Sequence, residues 1–169
     1  MTAIAAALQV REATAADASR LARLAERVGG TWNEARFAGS LSGSACGWVT
    51  EAMFDAPVAA DPLLSEALRP ALAAAILVQP GRDDWEVLDL AVAPHCQRQG
   101  LARQLLERVA STARHAGAKR LLLEVREGNG RARQIYLAGG FAPIGRRRGY
   151  YAAGADTPIE DAIVMAREL

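Results

Sequence analysis

Apolar and polar side chains alternate over residues 8–11, Leu-Gln-Val-Arg, as in a strand. Thr14-Ala-Ala-Asp17 then has the spacing of a capping box, and Leu21, Leu24, Ala25 and Val28 recur on one face of a helix that Gly29-Gly30 ends. Asn33 is placed to cap a second short helix, with Phe37 and Leu41 one turn apart, and Ser42-Gly43-Ser44 stops it. Residues 46–52 read as a strand. Residues 53–70 contain Pro57, Pro62 and Pro70 and no firm period, so they read as a long connection with room for a short helix at 63–68. The unbroken apolar run 71–78 predicts a buried strand, 80–84 a turn, and 85–92 a further strand ending before Pro94.

The second half is more regular. Leu101, Leu105, Val109 and Ala113 share one face of a helix over 100–116 that Gly117 closes. Residues 120–125 read as an apolar strand buried on both faces, 128–130 as a loop and 131–138 as a short helix stopped by Gly139-Gly140. Strands at 141–147 and 159–166 complete the pattern. Strand, helix, strand, helix, strand in the centre predicts an α/β chain with right-handed crossovers and a sheet covered on both faces. No repeat or composition shift divides it, so a single domain over 1–169 is expected.

Composition narrows the function classes. With 169 residues, 51% apolar and 23% charged, the chain has material for one packed core and is neither disordered nor collagen-like. Its longest apolar run, 71–78, is far short of the roughly 20 residues a membrane-crossing helix needs, so no membrane is expected. Residues 1–7 are apolar without a basic flank, so no export signal is expected; Cys46 and Cys96 are then free thiols in a cytoplasmic protein. Twenty basic against nineteen acidic residues give no general field for nucleic acid, so anion binding has to be local. His95 and His115 have no metal-ligand spacing with either cysteine, and no metal is expected.

Two stretches carry candidate chemistry. In residues 88–103 a strand passes through a polar loop into a helix that opens at Gly100. The first N–H groups of a helix lack intrahelical partners and lie at its positive end, so such a turn can hold a pyrophosphate; the alternative is a glycine that only makes the bend. The dinucleotide fingerprint is absent, since Arg98 stands two before Gly100, and no P-loop Gly-Lys-Ser/Thr occurs. The second stretch is Leu121-Leu-Leu-Glu124-Val125, where a carboxylate interrupts an apolar strand. Glu124 is either a strand-end carboxylate, solvated or paired with Arg126, Arg131 or Arg133, or a general base at the end of a strand where α/β sheets build their sites. Tyr136 falls on the following helix, where an amphipathic core tyrosine is its plain reading.

Together these residues resemble the GNAT acyltransferase superfamily, whose cofactor motif Gln/Arg-x-x-Gly-x-Gly/Ala is matched by Gln97-Arg-Gln-Gly100-Leu-Ala102. Within it the chain is most similar to enzymes that acetylate the N-terminal alanine of a small-subunit ribosomal protein. The resemblance rests on Ala91-Val92 with Pro94, the 97–101 motif, Leu123-Glu-Val-Arg126, Asn129, Ile135-Tyr136, Gly140-Phe141, Arg147, Tyr150-Tyr151, and Glu160-Asp-Ala-Ile163 with Met165. It is strong over 85–169 and weak before it, where 53–70 reads as an insertion. It implies a GNAT fold, a mixed central sheet of about six to seven strands with helices on both faces, and acetyl-coenzyme A as co-substrate. Leu90, Ala91 and Val92 would hold the acetyl and pantetheine arm, Arg98, Gln99, Gly100, Leu101, Ala102 and Arg103 the pyrophosphate, and Asn129 would add a hydrogen bond. Glu124 would be the general base and Tyr136 the general acid that protonates the leaving thiolate. The acceptor implied is a protein N-terminus, the enzyme a monomer or weak dimer. Lysine side chains, polyamines or other small amines are alternative acceptors, and a non-catalytic acyl-coenzyme A-binding module is a rival of another class. The run Arg146-Arg-Arg148 reads either as a contact to an acidic acceptor or as a solvated strand end.

Overall fold

A strand buried on both faces anchors the sheet: β3 (Ala71–Gln79) is covered from Ala71 through Val78, as its unbroken apolar sequence requires. The computed structural model describes residues 7–53, 71–152 and 158–169, so most of the expected insertion at 53–70 lies outside the described residues. Seven strands form one sheet in the order β1-β2-β3-β4-β5-β7-β6, with β1 at Ala7–Glu12, β2 at Cys46–Met53, β4 at Asp84–Val92, β5 at Arg120–Arg126, β6 at Ala142–Tyr151 and β7 at Glu160–Glu168. The helices are α1 (Ala18–Arg27), α2 (Glu34–Ser42), α3 (Leu101–His115) and α4 (Gly130–Ala138). The mixed α/β fold expected from the sequence is the one observed.

The chain packs as two compact units. The first takes the described residues up to Val78 together with Asp89–Leu105; the second takes Gln79–Leu88 and Leu106–Leu169. In the first, β1 pairs antiparallel with β2, and β2 with β3. The first helix opens not as an α-helix at Thr14 but as a 3₁₀ turn, Ala15–Asp17, in which the Thr14 N–H donates to Asp17 Oδ2 at 3.0 Å. Leu21, Leu24 and Ala25 of α1 and Phe37 of α2 are buried, as their spacing predicts, whereas Val28, expected on the same face, is exposed and Leu41 is half-buried. Gly29, with φ of +78°, turns the chain out of α1.

One buried polar network ties this unit together. Arg11 of β1 forks onto Asp17, with both hydrogen bonds at 2.8 Å, and also donates to Glu51 of β2 at 2.8 and 3.1 Å. Arg20 of α1 donates to Glu51 at 2.9 Å. Asp17 and Glu51 are the buried carboxylates here, and a buried carboxylate persists only when its charge is met. Glu51 is held below its usual pKa first by the Arg11 bond. Burial pushes Asp17 up, but bonds from Arg11 and the Thr14 N–H, with the charges of Arg11 and Arg20, outweigh it and leave it low.

In the second unit β4 and β5 run parallel, Asp84–Val87 pairing with Arg120–Leu123, and Arg120 forks onto Asp84 with two 2.8 Å bonds at the ladder's start. β7 pairs antiparallel with β5 and with β6. The crossover from β5 through α4 therefore does not deliver an adjacent strand; β7 takes the place beside β5 that chain order suggested for β6. Two further expectations are corrected. β5 is not buried on both faces: Leu121, Leu123 and Val125 are covered while Leu122, Glu124 and Arg126 are half-buried, so the strand alternates. Nor is the sheet covered throughout, because β6 is exposed from Ala142 to Tyr150. Its Pro143, two glycines and three arginines are the composition that keeps an edge strand from pairing further.

Candidate active site

The turn from β4 to α3 lies in the first unit and is built around two left-handed residues. Arg98 has φ of 63° and Gly100 φ of 80°, with the exposed Gln99 between them. Gln97 Nε2 donates to the Val92 carbonyl at 3.1 Å and so fastens the loop to the end of β4. Gln104 N–H donates to the Gly100 carbonyl at 3.0 Å and closes the first helical turn. The N–H groups of Leu101, Ala102 and Arg103 come before that closure and have no upstream carbonyl, the arrangement that receives an anion. A Cβ on Gly100 would meet nothing within 4 Å. Glycine is needed here for its φ, and the space before it is open. Leu90 and Val92 are half-buried and Ala91 fully buried at the end of β4.

One β4 carboxylate was not singled out by sequence. Asp89, next to Leu90, has its pKa pushed up to about 6 by burial, against a smaller opposing pull from Arg36 of α2. Arg36 in turn lies 4.0 Å over the Trp32 ring.

Glu124 lies in the second unit, one residue beyond the β4–β5 ladder. Register partners share a sheet face, so Glu86 of β4, opposite Leu122, lies on the same face as Glu124, and so does Arg147 of β6, which shares the partner Ala162 with Arg126. Arg147 Nη1 donates to Glu124 Oε1 at 2.5 Å, and the Tyr150 hydroxyl donates to the same carboxylate. The arginine is thus Arg147 and not Arg126, Arg131 or Arg133; Arg126 pairs with Glu160 at 3.2 Å and lies 4.0 Å over the Tyr151 ring. That bond to Glu124 holds the Tyr150 phenol above its usual pKa. Glu86 is held above the usual carboxylate range by desolvation and then by the Glu124 charge, with Arg147 opposing. Arg146 is consumed by Glu127 and Asp161, so two of the three consecutive arginines are neutralised within the unit rather than offered to an acidic acceptor.

Tyr136 is buried on α4 with its ring edge-on to Phe141, centroids 5.9 Å apart. Asn129 caps the same helix, its Oδ1 accepting the Ala132 N–H at 3.1 Å, which leaves its amide N–H groups for other partners. Glu124, Asn129 and Tyr136 thus belong to one unit, and residues 90–92 and 98–103 to the other. Sequence reading missed Glu86, Arg147 and Tyr150 as a group around Glu124. The available signal was the pairing register, which chain order alone does not supply.

The family described as "Acetyltransferase (GNAT) family" matches residues 29–141. The [ribosomal protein bS18]-alanine N-acetyltransferase of Escherichia coli (strain K12) is 39% identical over 95 residues, covering 56% of this chain and 63% of that protein. Its counterpart in Haemophilus ducreyi is 37% identical over 84 residues, 50% of this chain and 57% of that protein. Each match therefore spans less than two thirds of the relative. Among solved structures, the Escherichia coli ribosomal-protein-S18-alanine N-acetyltransferase superposes with a TM-score of 0.76 at 27% identity over 96% of this chain and 94% of that one. Arabidopsis thaliana NAA60 in complex with acetyl-CoA shares the fold, with a TM-score of 0.77 at 14% identity over 96% and 99%.

Proposed function

The chain belongs to the acetyltransferase (GNAT) family, and from that premise we propose that it moves an acetyl group from acetyl-coenzyme A to a protein N-terminal amine, the N-terminal alanine of a small-subunit ribosomal protein being the expected acceptor. The observation that carries the acceptor class is the 39% identity over 95 residues to an enzyme named for that acceptor.

The residues fit the co-substrate. Leu101, Ala102 and Arg103 offer helix-start N–H groups with no partner among the described residues, and a Cβ on Gly100 would meet nothing within 4 Å, so a pyrophosphate can lie against backbone. Leu90, Ala91 and Val92 are assigned to the acyl arm, and an Asn129 amide N–H to a further hydrogen bond. Acetyl-coenzyme A supplies an activated thioester when bound. Glu124 takes one proton from the acceptor ammonium and passes it to solvent, the freed amine forms the C–N bond as the C–S bond breaks, Tyr136 gives its proton to the departing sulfur, and the second proton that the nitrogen sheds on becoming an amide restores the phenol. A phenol with a pKa near 10 suits that last task, because the thiolate it protonates has a conjugate acid near 8.5 and accepts hydrogen bonding as charge develops. No covalent enzyme intermediate is required.

Proton chemistry favours an α-amine over lysine. An α-amine titrates near 7.7 to 8.0 and a lysine near 10.4, so freeing the nucleophile costs about 3.5 kcal/mol less at a terminus. The test is one peptide carrying a free N-terminal alanine and an internal lysine, incubated with acetyl-coenzyme A and fragmented to locate the acetyl group. Acetyl on the alanine is the expected result. Acetyl mainly on lysine, or transfer only to a polyamine, overturns the acceptor; no transfer to any amine despite tight acetyl-coenzyme A binding favours the non-catalytic module.

A further inference from the structure

The face that carries Glu124 holds one more carboxylate than the proposed chemistry uses. Glu86 and Glu124 stand on adjacent parallel strands, Glu86 opposite Leu122 and Glu124 two residues further along β5. An interstrand step of about 4.8 Å and a two-residue rise of about 6.6 Å put such positions about 8 Å apart at their Cα atoms, within reach of one ligand between two long side chains. Arg147 is bonded to Glu124, and Glu86 feels the charges of both. The Glu86 side chain is solvent-accessible, in the middle of β4, with register neighbours Leu122 on β5 and no ion pair of its own among the described residues. The other two guanidiniums of β5 on this face are committed: Arg126 to Glu160, stacked on Tyr151, and Arg120 to Asp84. Two carboxylates thus share one guanidinium, and the group is one positive charge short of neutrality.

We propose that Glu86 is an acceptor-specificity residue: it leaves the Glu124–Arg147 pair with a net negative charge that one primary ammonium completes. The proposal rests on the acyl-transfer reading and adds how the acceptor is chosen. An α-amine near pKa 7.7 to 8.0 is mostly cationic at neutral pH and arrives as the charge the group lacks. Glu124 then removes the proton while Glu86 stays to hold the amine in place. Glu86 is a binding residue in this scheme; no proton needs to pass through it.

The test compares two probes on the protein saturated with coenzyme A: an alanine-initiated peptide and the same peptide with its N-terminal amine replaced by hydroxyl. Calorimetry on the wild type is expected to favour the amine by about tenfold, one charge contact at a partly desolvated site. In Glu86→Gln the two probes should bind within about twofold, and Glu86→Asp should recover part of the preference. In turnover, Glu86→Gln should raise the peptide KM by about the same factor while kcat and the acetyl-coenzyme A KM hold. A Glu86→Gln protein that keeps the preference, or one that loses kcat at unchanged KM, overturns the role. Acetyl transfer by the wild type, followed in parallel, separates the two readings: with transfer intact, an unchanged preference in Glu86→Gln defeats Glu86 alone, and no transfer to any α-amine defeats the function on which it rests.

Discussion

Arg147 reaches Glu124 across an intervening strand. Glu124 is on β5 and Arg147 on β6, with β7 between them, and the guanidinium crosses that width on the face where Ala162 and Val164 of β7 lie beneath it. Two interstrand steps are about 10 Å, close to the full extension of an arginine and a glutamate towards each other. Ala162 is small enough to leave the path open. The side chain of Glu124 is largely covered while that of Arg147 is half exposed, so the carboxylate is fixed and the cation is the part free to yield to a substrate.

Glu124→Gln removes a proton acceptor and keeps shape, and Tyr136→Phe removes the hydroxyl from a ring already packed on Phe141. Each is expected to lower kcat by about 100 to 10,000-fold, the usual share of a positioned acid or base, with acetyl-coenzyme A affinity unchanged. Loss below about threefold in both, measured by single-turnover kinetics, would show that neither moves the proton.

Gly100→Val places a β-branched residue at φ of +80° and fills the space before the first α3 N–H groups. Acetyl-coenzyme A binding should disappear in calorimetry while far-ultraviolet circular dichroism stays that of the wild type, because the added Cβ touches nothing else. Unchanged affinity would put the pyrophosphate elsewhere.

How much of this was legible follows from sequence separation. The turn at 97–102 and the helix after it are local: a polar loop, a glycine and a repeating Leu101, Leu105, Val109 face specify them within about 20 residues. Glu124 stood out because a carboxylate broke an apolar strand. Its surroundings did not, because Arg147 is 23 residues away and Glu86 sits on another strand. Only the insertion of β7 between β5 and β6 decides that Arg147 meets Glu124 while Arg126, two residues from it, meets Glu160. Burial on both faces was likewise misread for β5: three consecutive leucines suggest it, but the face of Leu122, Glu124 and Arg126 is half open. A run of apolar residues reports what a strand tolerates, and the neighbours decide which face is covered.

Arg11→Met should destabilise the fold by about 3 to 5 kcal/mol, since it strands Asp17 and Glu51 as buried charges with only Arg20 left between them. Both carboxyls are held below their unfolded values, near 3.9 and 4.3. Their stabilisation is therefore complete above about pH 4 to 5 and is lost as pH falls through the lower folded values. Urea midpoints from pH 7 down to pH 3 should fall steeply in the wild type and less steeply in Arg11→Met. Parallel decline in the two proteins would mean the network contributes nothing at neutral pH.

Asp89 has the opposite sign. Its carboxyl is raised to about 6 in the folded chain, from near 3.9 unfolded, because burial penalises the charge more than Arg36 relieves it. The folded state thus holds this proton more tightly than the unfolded state does. Its contribution is most favourable below about pH 4, declines as pH rises from 4 to 6, and is constant above. Asp89→Asn keeps the shape and removes the ionisation, so it should stabilise the protein at pH 8 by about 1 to 3 kcal/mol, the upper figure being two units at about 1.36 kcal/mol each. Near pH 4 the two proteins should unfold at the same urea concentration, and comparing them at each pH cancels the titration of Asp17 and Glu51. A stabilisation of equal size at both pH values would mean that Asn is simply a better-packed residue there and that Asp89 carries no buried charge at neutral pH.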